Sequence, residues 1–253
     1  MLWICLKALA NSCLVRWNFI QSPFAQVIQM QRERSRSRIR HFELCDGSWT
    51  TLQKIDIAYD FEDLWNMRPP NQQDIVIRGR SVPIPRRQLA MGHSYPFSGQ
   101  VASAVETDNA VASMLTKVRF ATGVRFNGVL MNFYEGSDYI GPHSDESKPL
   151  VKNAPIATLS LGGTRRFWIR PKNDGEEQKL TVENGDLLVM WGRCQETHKH
   201  EVRRPLKTDM GAFRKKRISV TFRQFAWWLM TLQTKSKTAC STFSERLIVV
   251  LAE

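Results

Sequence analysis

Cysteine is scarce and poorly placed for cross-linking. The five cysteines, Cys5, Cys13, Cys45, Cys194 and Cys240, are odd in number and far apart, and none forms a CxxC pair. Neither a disulfide framework nor a zinc ribbon is indicated, and a reducing compartment is expected. Long apolar runs are missing too. No stretch reaches the roughly 18 consecutive apolar residues of a membrane helix, which predicts a soluble protein with no membrane partner. Acidic residues are the third deficit: 24 Asp and Glu face 36 Lys and Arg, for a net charge of +12 and a pI near 9.8. That imbalance favours a polyanionic partner, with nucleic acid leading. No internal repeat is found.

What remains is the material of a folded domain. The chain has 253 residues, 42% of them hydrophobic, and 8 tryptophans, which excludes a disordered polyelectrolyte or a collagen-like repeat and allows a sizeable core. The positive charge is uneven. Lys7, Arg16, Arg32, Arg34, Arg36, Arg38 and Arg40 face only Glu33, so the first 40 residues hold half of the net charge. RERSRSRIR (32–40) has no hydrophobic period and repels itself, so residues 1–45 are expected to form a basic, flexible extension. Arg-rich and nearly acid-free, residues 1–40 also fit a mitochondrial presequence. Residues 226–253 form a tail in which Trp227, Trp228, Leu229 and Met230 could dock on the core.

Between these ends, 46–225 reads as one domain. AYDFEDLWNMR (58–68) has helix-like spacing with acids near its start. DIVIRGRSVPIPRR reads as a strand, a Gly-centred turn and a Pro-rich extended run. Residues 104–120 are predicted helical, with Val105, Ala112, Leu115 and Val118 inward. After Gly123 seven or eight short strands follow, with Asn184-Gly185 as a hairpin turn between two alternating arms. A small helical front before such a series predicts an α+β, mainly β fold: a β-sandwich or jelly roll buttressed by helices.

Three constellations carry chemistry. In YIGPHSDES (139–147), strand alternation would point His143 and Asp145 into one space, where they could chelate a metal. A third ligand is needed, and His198 or His200, just past the strand DLLVMW, could supply it. Two His with one carboxylate form the facial triad of non-haem Fe(II), which leaves open positions for substrate and oxygen. The rival is zinc on Cys194, His198 and His200, although Cys-x3-His-x-His matches no common structural zinc spacing. In RISVTFR (217–223), Arg217 and Arg223 share a face with Ser219 and Thr221. Two inward guanidinium groups are costly unless an anion neutralises them, and a dicarboxylate would do so; two solvated arginines on an edge strand are the plainer reading. In VLMNFYEG, Asn132 and Tyr134 share a face shortly before His143.

The order Asn132, Tyr134, His143, Asp145, His200, Arg217 and Arg223 resembles the AlkB family of Fe(II)/2-oxoglutarate dioxygenases, and most of all its nuclear DNA-repair branch. The likeness runs from about Asp74 to Gln224. It implies a double-stranded β-helix (jelly roll) with supporting N-terminal helices, and Fe(II) held by His143, Asp145 and His200, the histidine followed by the Pro-containing EVRRP. Arg217 and Tyr134 would hold the distal carboxylate of 2-oxoglutarate, with Asn132 and Arg223 flanking the metal-bound end, and oxygen would complete the reactants. YPFSG (95–99) resembles the strand on which a damaged base rests. Tyr95, Phe97 and Ser98, with Arg78, Arg86 and Glu146, would thus meet the substrate, the base stacking between Phe97 and His143. Two departures are visible. Arg78 stands where duplex-repairing members carry an aromatic wedge, and the second residue after the iron Asp, often acidic, is Ser147.

The implied activity is oxidative demethylation of N-alkylated bases of the 1-methyladenine or 3-methylcytosine type, in DNA that is single-stranded or mismatched. An RNA demethylase and a catalytically inactive nucleic-acid-binding module are the alternatives. A monomer in the nucleus or cytoplasm is expected, with mitochondria as the other destination.

Overall fold

The computed structural model describes residues 39–226 except 207, 210 and 212–214. Residues 1–38 of the expected presequence, and with them most of the basic extension, lie outside these residues, as does Trp227–Met230 of the tail.

Alternation along RISVTFR decides how the layers form. β16 (Arg217–Arg223) is buried throughout, so both its faces must find cover. Ile218, Val220 and Phe222 join Met131 and Phe133 of β9 (Gly128–Tyr134) and Leu159 and Leu161 of β11 (Ile156–Gly162) in one apolar cluster. The cluster also holds Leu64 and Trp65 of α1 (Phe61–Asn66) and Val111, Met114 and Val118 of α2 (Asn109–Thr122). Each such side chain contributes about 1.5–3 kcal/mol on burial. The other face of β16, with Arg217, Ser219, Thr221 and Arg223, turns towards a second sheet.

The larger sheet has eight strands. Its order is β1 (Arg40–Glu43), β2 (Ser48–Lys54), β14 (Asp186–Gly192), β11, β16, β9, β5 (Arg87–Met91) and β8 (Ala104–Val105). The smaller sheet runs β10 (Ile140–His143), β15 (His198–Val202), β12 (Arg165–Pro171) and β13 (Gln178–Val182). Between the sheets lies a second apolar cluster that includes Leu52, Phe167, Ile169, Leu188 and Met190. Two hairpins stand apart: β3 (Asp74–Ile77) with β4 (Arg80–Pro83), and β6 (Tyr95–Phe97) with β7 (Gln100–Ala102). The chain is thus α+β and mainly β. Among the described residues no helix is long and apolar enough to cross a membrane.

Several expectations need correction. The helix predicted from 104 starts at Asn109, because the Asp108 carboxylate caps the Ala110 N–H, while Ala104 and Val105 pair in parallel with β5. Val105 is therefore exposed rather than inward, and Val111, Met114 and Val118 make the buried stripe. The front of the chain is not simply helical, since eight short strands accompany α1 and α2. Asn184-Gly185 does not close a hairpin. β13 pairs with β12 and β14 with β11 and β2, so the turn carries the chain from one sheet to the other. The Asn184 side chain accepts from Gly162 N–H (2.9 Å) and the Tyr59 hydroxyl (2.5 Å), contacts that fix a crossover. Finally, Arg40–Glu43, inside the expected 1–45 extension, forms edge strand β1 against β2.

Candidate metal centre

The antiparallel pairing of β10 and β15 sets His143 directly opposite His200, joining side chains more than fifty residues apart. Their rings lie 4.3 Å apart between centroids. Asp145 is not on the same strand as His143, because β10 ends at His143. The carboxylate is instead positioned by side chains: Gln195 Oε1 accepts the Asp145 N–H (2.9 Å), and Arg223 donates to Oδ2 from Nε (2.9 Å) and Nη2 (2.7 Å). Oδ1 is left 3.8 Å from His143 Nε2 and 4.0 Å from His200 Nε2. One ligand atom from each residue lies within 4.8 Å of the others.

The protonation states suit a cation. Burial pushes the pKa of His143 and His200 down, so both imidazoles are neutral at neutral pH and offer lone pairs. His143 Nδ1 lies 2.9 Å from the Gly141 carbonyl; donation there leaves Nε2 as the free nitrogen. Burial would raise the pKa of Asp145, but the Arg223 guanidinium, aided by the two histidines, holds it below the usual carboxylate range. Two neutral imidazoles and a carboxylate with one free oxygen fit Fe(II). His198 takes no part: its Nδ1 meets the Thr197 hydroxyl (2.7 Å) and its Nε2 the Cys45 thiol (3.5 Å). The zinc alternative fails with it, since Cys194 and His198 are not in the cluster of candidate ligands.

The register of β16 with β9 places Arg217 opposite Tyr134 and Ser219 opposite Asn132. Arg217 is 0% exposed. Its Nη2 donates to Ser160 Oγ (3.0 Å), its Cζ stands 5.1 Å from the Tyr134 ring centroid, and its Nε and Nη1 make no hydrogen bond. A buried guanidinium with unused donors suits a carboxylate, which its planar fork can grip at two points. The residues present therefore fit 2-oxoglutarate. Asn132 accepts from Arg86 Nε (3.1 Å), and Arg223 also stacks on Tyr95, 4.2 Å from its ring centroid.

Most of the expected site shares one cavity of about 870 Å³, lined by the triad together with Asn132, Tyr134, Arg223, Arg86, Tyr95, Phe97, Ser98 and Glu146. Arg217 is not part of the cavity wall; it touches Tyr134, which is. Arg78 is not brought in: it sits exposed at the tip of the β3–β4 hairpin, where Arg78 and Gly79 take φ of 49° and 76°. One participant escaped the sequence reading: Gln195, which lines the cavity and holds the Asp145 N–H, has no motif to reveal it.

Known proteins are similar to this chain in sequence or in fold. DNA oxidative demethylase ALKBH2 of Bos taurus is 32% identical over 128 residues, which cover 46% of either chain. Alpha-ketoglutarate-dependent dioxygenase alkB homolog 3 of Rattus norvegicus is 32% identical over 121 residues, 44% of this chain and 39% of the relative. The matches thus span less than half the length of either relative. The solved structure of OsALKBH1 superposes with a TM-score of 0.52 at 21% identity, over 73% of this chain and all of that one, a likeness of fold. The description "2OG-Fe(II) oxygenase superfamily" fits residues 71–223, which include the triad, Arg217 and Arg223. With more than half its length matched and the ligand set assembled, the chain belongs to the 2OG-Fe(II) oxygenase superfamily.

Proposed function

We propose that the protein is a DNA oxidative demethylase of the AlkB family, with its dioxygenase domain at 46–225 and its two sheets forming a double-stranded β-helix. The observation that carries this reading is the one cavity lined by the His143–Asp145–His200 triad, by Tyr134, whose ring neighbours Arg217, and by the aromatic side chains of Tyr95 and Phe97. With oxygen and 2-oxoglutarate, bound iron supplies the oxidising power to hydroxylate an N-methyl group, and succinate and carbon dioxide are released. The residues of the chain do the rest. Arg223 fixes the Asp145 carboxylate so that Oδ1 faces the histidines. Arg217 anchors the distal carboxylate of the cosubstrate. Tyr95 and Phe97 offer rings on which a flipped base would stack, worth about 1–3 kcal/mol. The hydroxylated methyl then leaves as formaldehyde.

The net charge of +12 favours a nucleic-acid substrate, and the similarity to DNA oxidative demethylase ALKBH2 favours DNA. RNA is the second reading, favoured by Arg78 in place of an aromatic wedge. The test presents the same 1-methyladenine in single-stranded DNA, duplex DNA and RNA, and measures formaldehyde released. Fastest turnover on single-stranded DNA supports the proposal; turnover confined to RNA replaces it with the second reading.

A further inference from the structure

Strand β12 turns Arg165, Phe167 and Ile169 inward and leaves Arg166, Trp168 and Arg170 half-buried on its other face. Phe167 and Ile169 fill the space between the sheets, as their chemistry predicts. Arg165 stands in the same row, 0% exposed. Its Nη1 and Nη2 donate to the carbonyls of Thr164 (2.9 Å) and Lys215 (3.0 Å), and its Nε has no partner. Among the described residues neither Arg165 nor Arg217 has a carboxylate within ion-pairing distance.

The two guanidinium groups feel each other. Burial and the Arg217 charge lower the Arg165 pKa to about 10, against the opposing pull of Tyr134, Asp138 and Asp209, so Arg165 stays cationic at neutral pH. Two buried cations without an ion-paired anion are expensive. Three of their nitrogens, Arg165 Nε and Arg217 Nε and Nη1, remain unused. The Lys215 carbonyl held by Arg165 belongs to the segment leading directly into Arg217, so the contact also steadies the backbone that carries Arg217.

We propose that Arg165 is a positioning residue for the distal carboxylate of 2-oxoglutarate, acting through Arg217 as a second buried positive charge and as a clamp on its approach segment. This rests on the proposed use of 2-oxoglutarate. A role confined to general stability of the fold would make the same two carbonyl contacts but would not discriminate between ligands with and without a distal carboxylate.

The experiment uses the full chain with Mn(II) in place of iron and measures binding by calorimetry. Its two ligands are N-oxalylglycine, which carries both carboxylates, and 2-oxovalerate, which lacks the distal one. Arg165→Met should weaken N-oxalylglycine about tenfold and leave 2-oxovalerate within about twofold, because the lost charge acts on the distal carboxylate alone. Arg165→Lys keeps the charge and should retain most of the preference for N-oxalylglycine even if its Tm falls. Should the Met variant not fold, the Lys variant decides: preference retained supports the proposal, preference lost overturns it. Unchanged N-oxalylglycine affinity in Arg165→Met, or equal weakening of both ligands, would overturn the proposal and leave Arg165 a residue of general fold stability. If the unsubstituted chain binds neither ligand, the 2-oxoglutarate reading itself fails and takes this inference with it.

Discussion

Asp145 divides its work between its two oxygens: Oδ2 is fixed by Arg223, and Oδ1 faces the two histidines. Arg223 therefore matters at the metal through the carboxylate that it orients. His143→Ala, Asp145→Ala and His200→Ala should each abolish 2-oxoglutarate turnover, measured as succinate formed. His198→Ala should keep most of it and lose only about 1–2 kcal/mol of stability, because His198 bonds Thr197 and Cys45 instead of facing the triad. An inactive His198→Ala beside an active His200→Ala would exchange the two assignments. At the anion seat, Arg217→Lys puts a point charge where a fork was needed. The loss of about 1.5–3 kcal/mol of charge-assisted hydrogen bonding should raise the KM for 2-oxoglutarate tenfold or more. An unchanged KM would remove Arg217 from the cofactor site. At this scale the sequence was readable where a motif lies within one strand, as in Asn132 with Tyr134 or Arg217 with Arg223; strand parity did not account for His143 with Asp145, which lies beyond the end of β10. It was silent on Gln195, whose amide reaches Asp145 from another element.

Elements were less legible, because a turn signal specifies local geometry and not the partner of the strand that follows. Asn184-Gly185 turns the chain as expected, yet its flanking strands join different sheets, a choice made by long-range pairing. The β3–β4 hairpin followed its local signals more closely: Arg78 and Gly79 form a two-residue turn with both residues left-handed, as hairpin twist favours. Its tip is exposed, free to meet a nucleic acid. Arginine there is hydrated and drawn to phosphate, so it should hold an opened duplex less well than an aromatic wedge. Paired lesions should react more slowly than single-stranded ones, and Arg78→Phe should narrow the gap by speeding the duplex reaction, as followed by formaldehyde release. No duplex gain in Arg78→Phe would show that this hairpin does not set the preference. The end of β9 offers a stability test. A Cβ at Gly128 would lie 2.4 Å from Phe225 Cε2, and Phe225 is stacked on His93 at 4.6 Å. Gly128→Ala should thus cost about 1–3 kcal/mol, visible as a lower Tm in thermal unfolding.

Across the whole molecule, the two faces of the larger sheet have separate tasks. One packs on α1 and α2 through an apolar cluster; the other carries buried Asn132, Ser160, Arg217, Ser219 and Arg223 towards the smaller sheet. The series of strands after Gly123 was predictable from alternation. The division into sheets was not, since it depends on pairings such as β14 with β2 that join distant segments. This architecture brings His143, Asp145 and His200 from two strands and a loop to one end of the space between the sheets, beside the rings expected to hold a base. The central claim is that this space couples 2-oxoglutarate oxidation to removal of a methyl group from a nucleic-acid base. The most direct measurement counts succinate and formaldehyde together as the full chain acts on an oligonucleotide carrying 1-methyladenine. Equal amounts of the two are expected, dependent on added Fe(II) and 2-oxoglutarate and absent from His200→Ala. Methyl loss without 2-oxoglutarate, or succinate formed on every substrate form with the methyl group untouched, would contradict it.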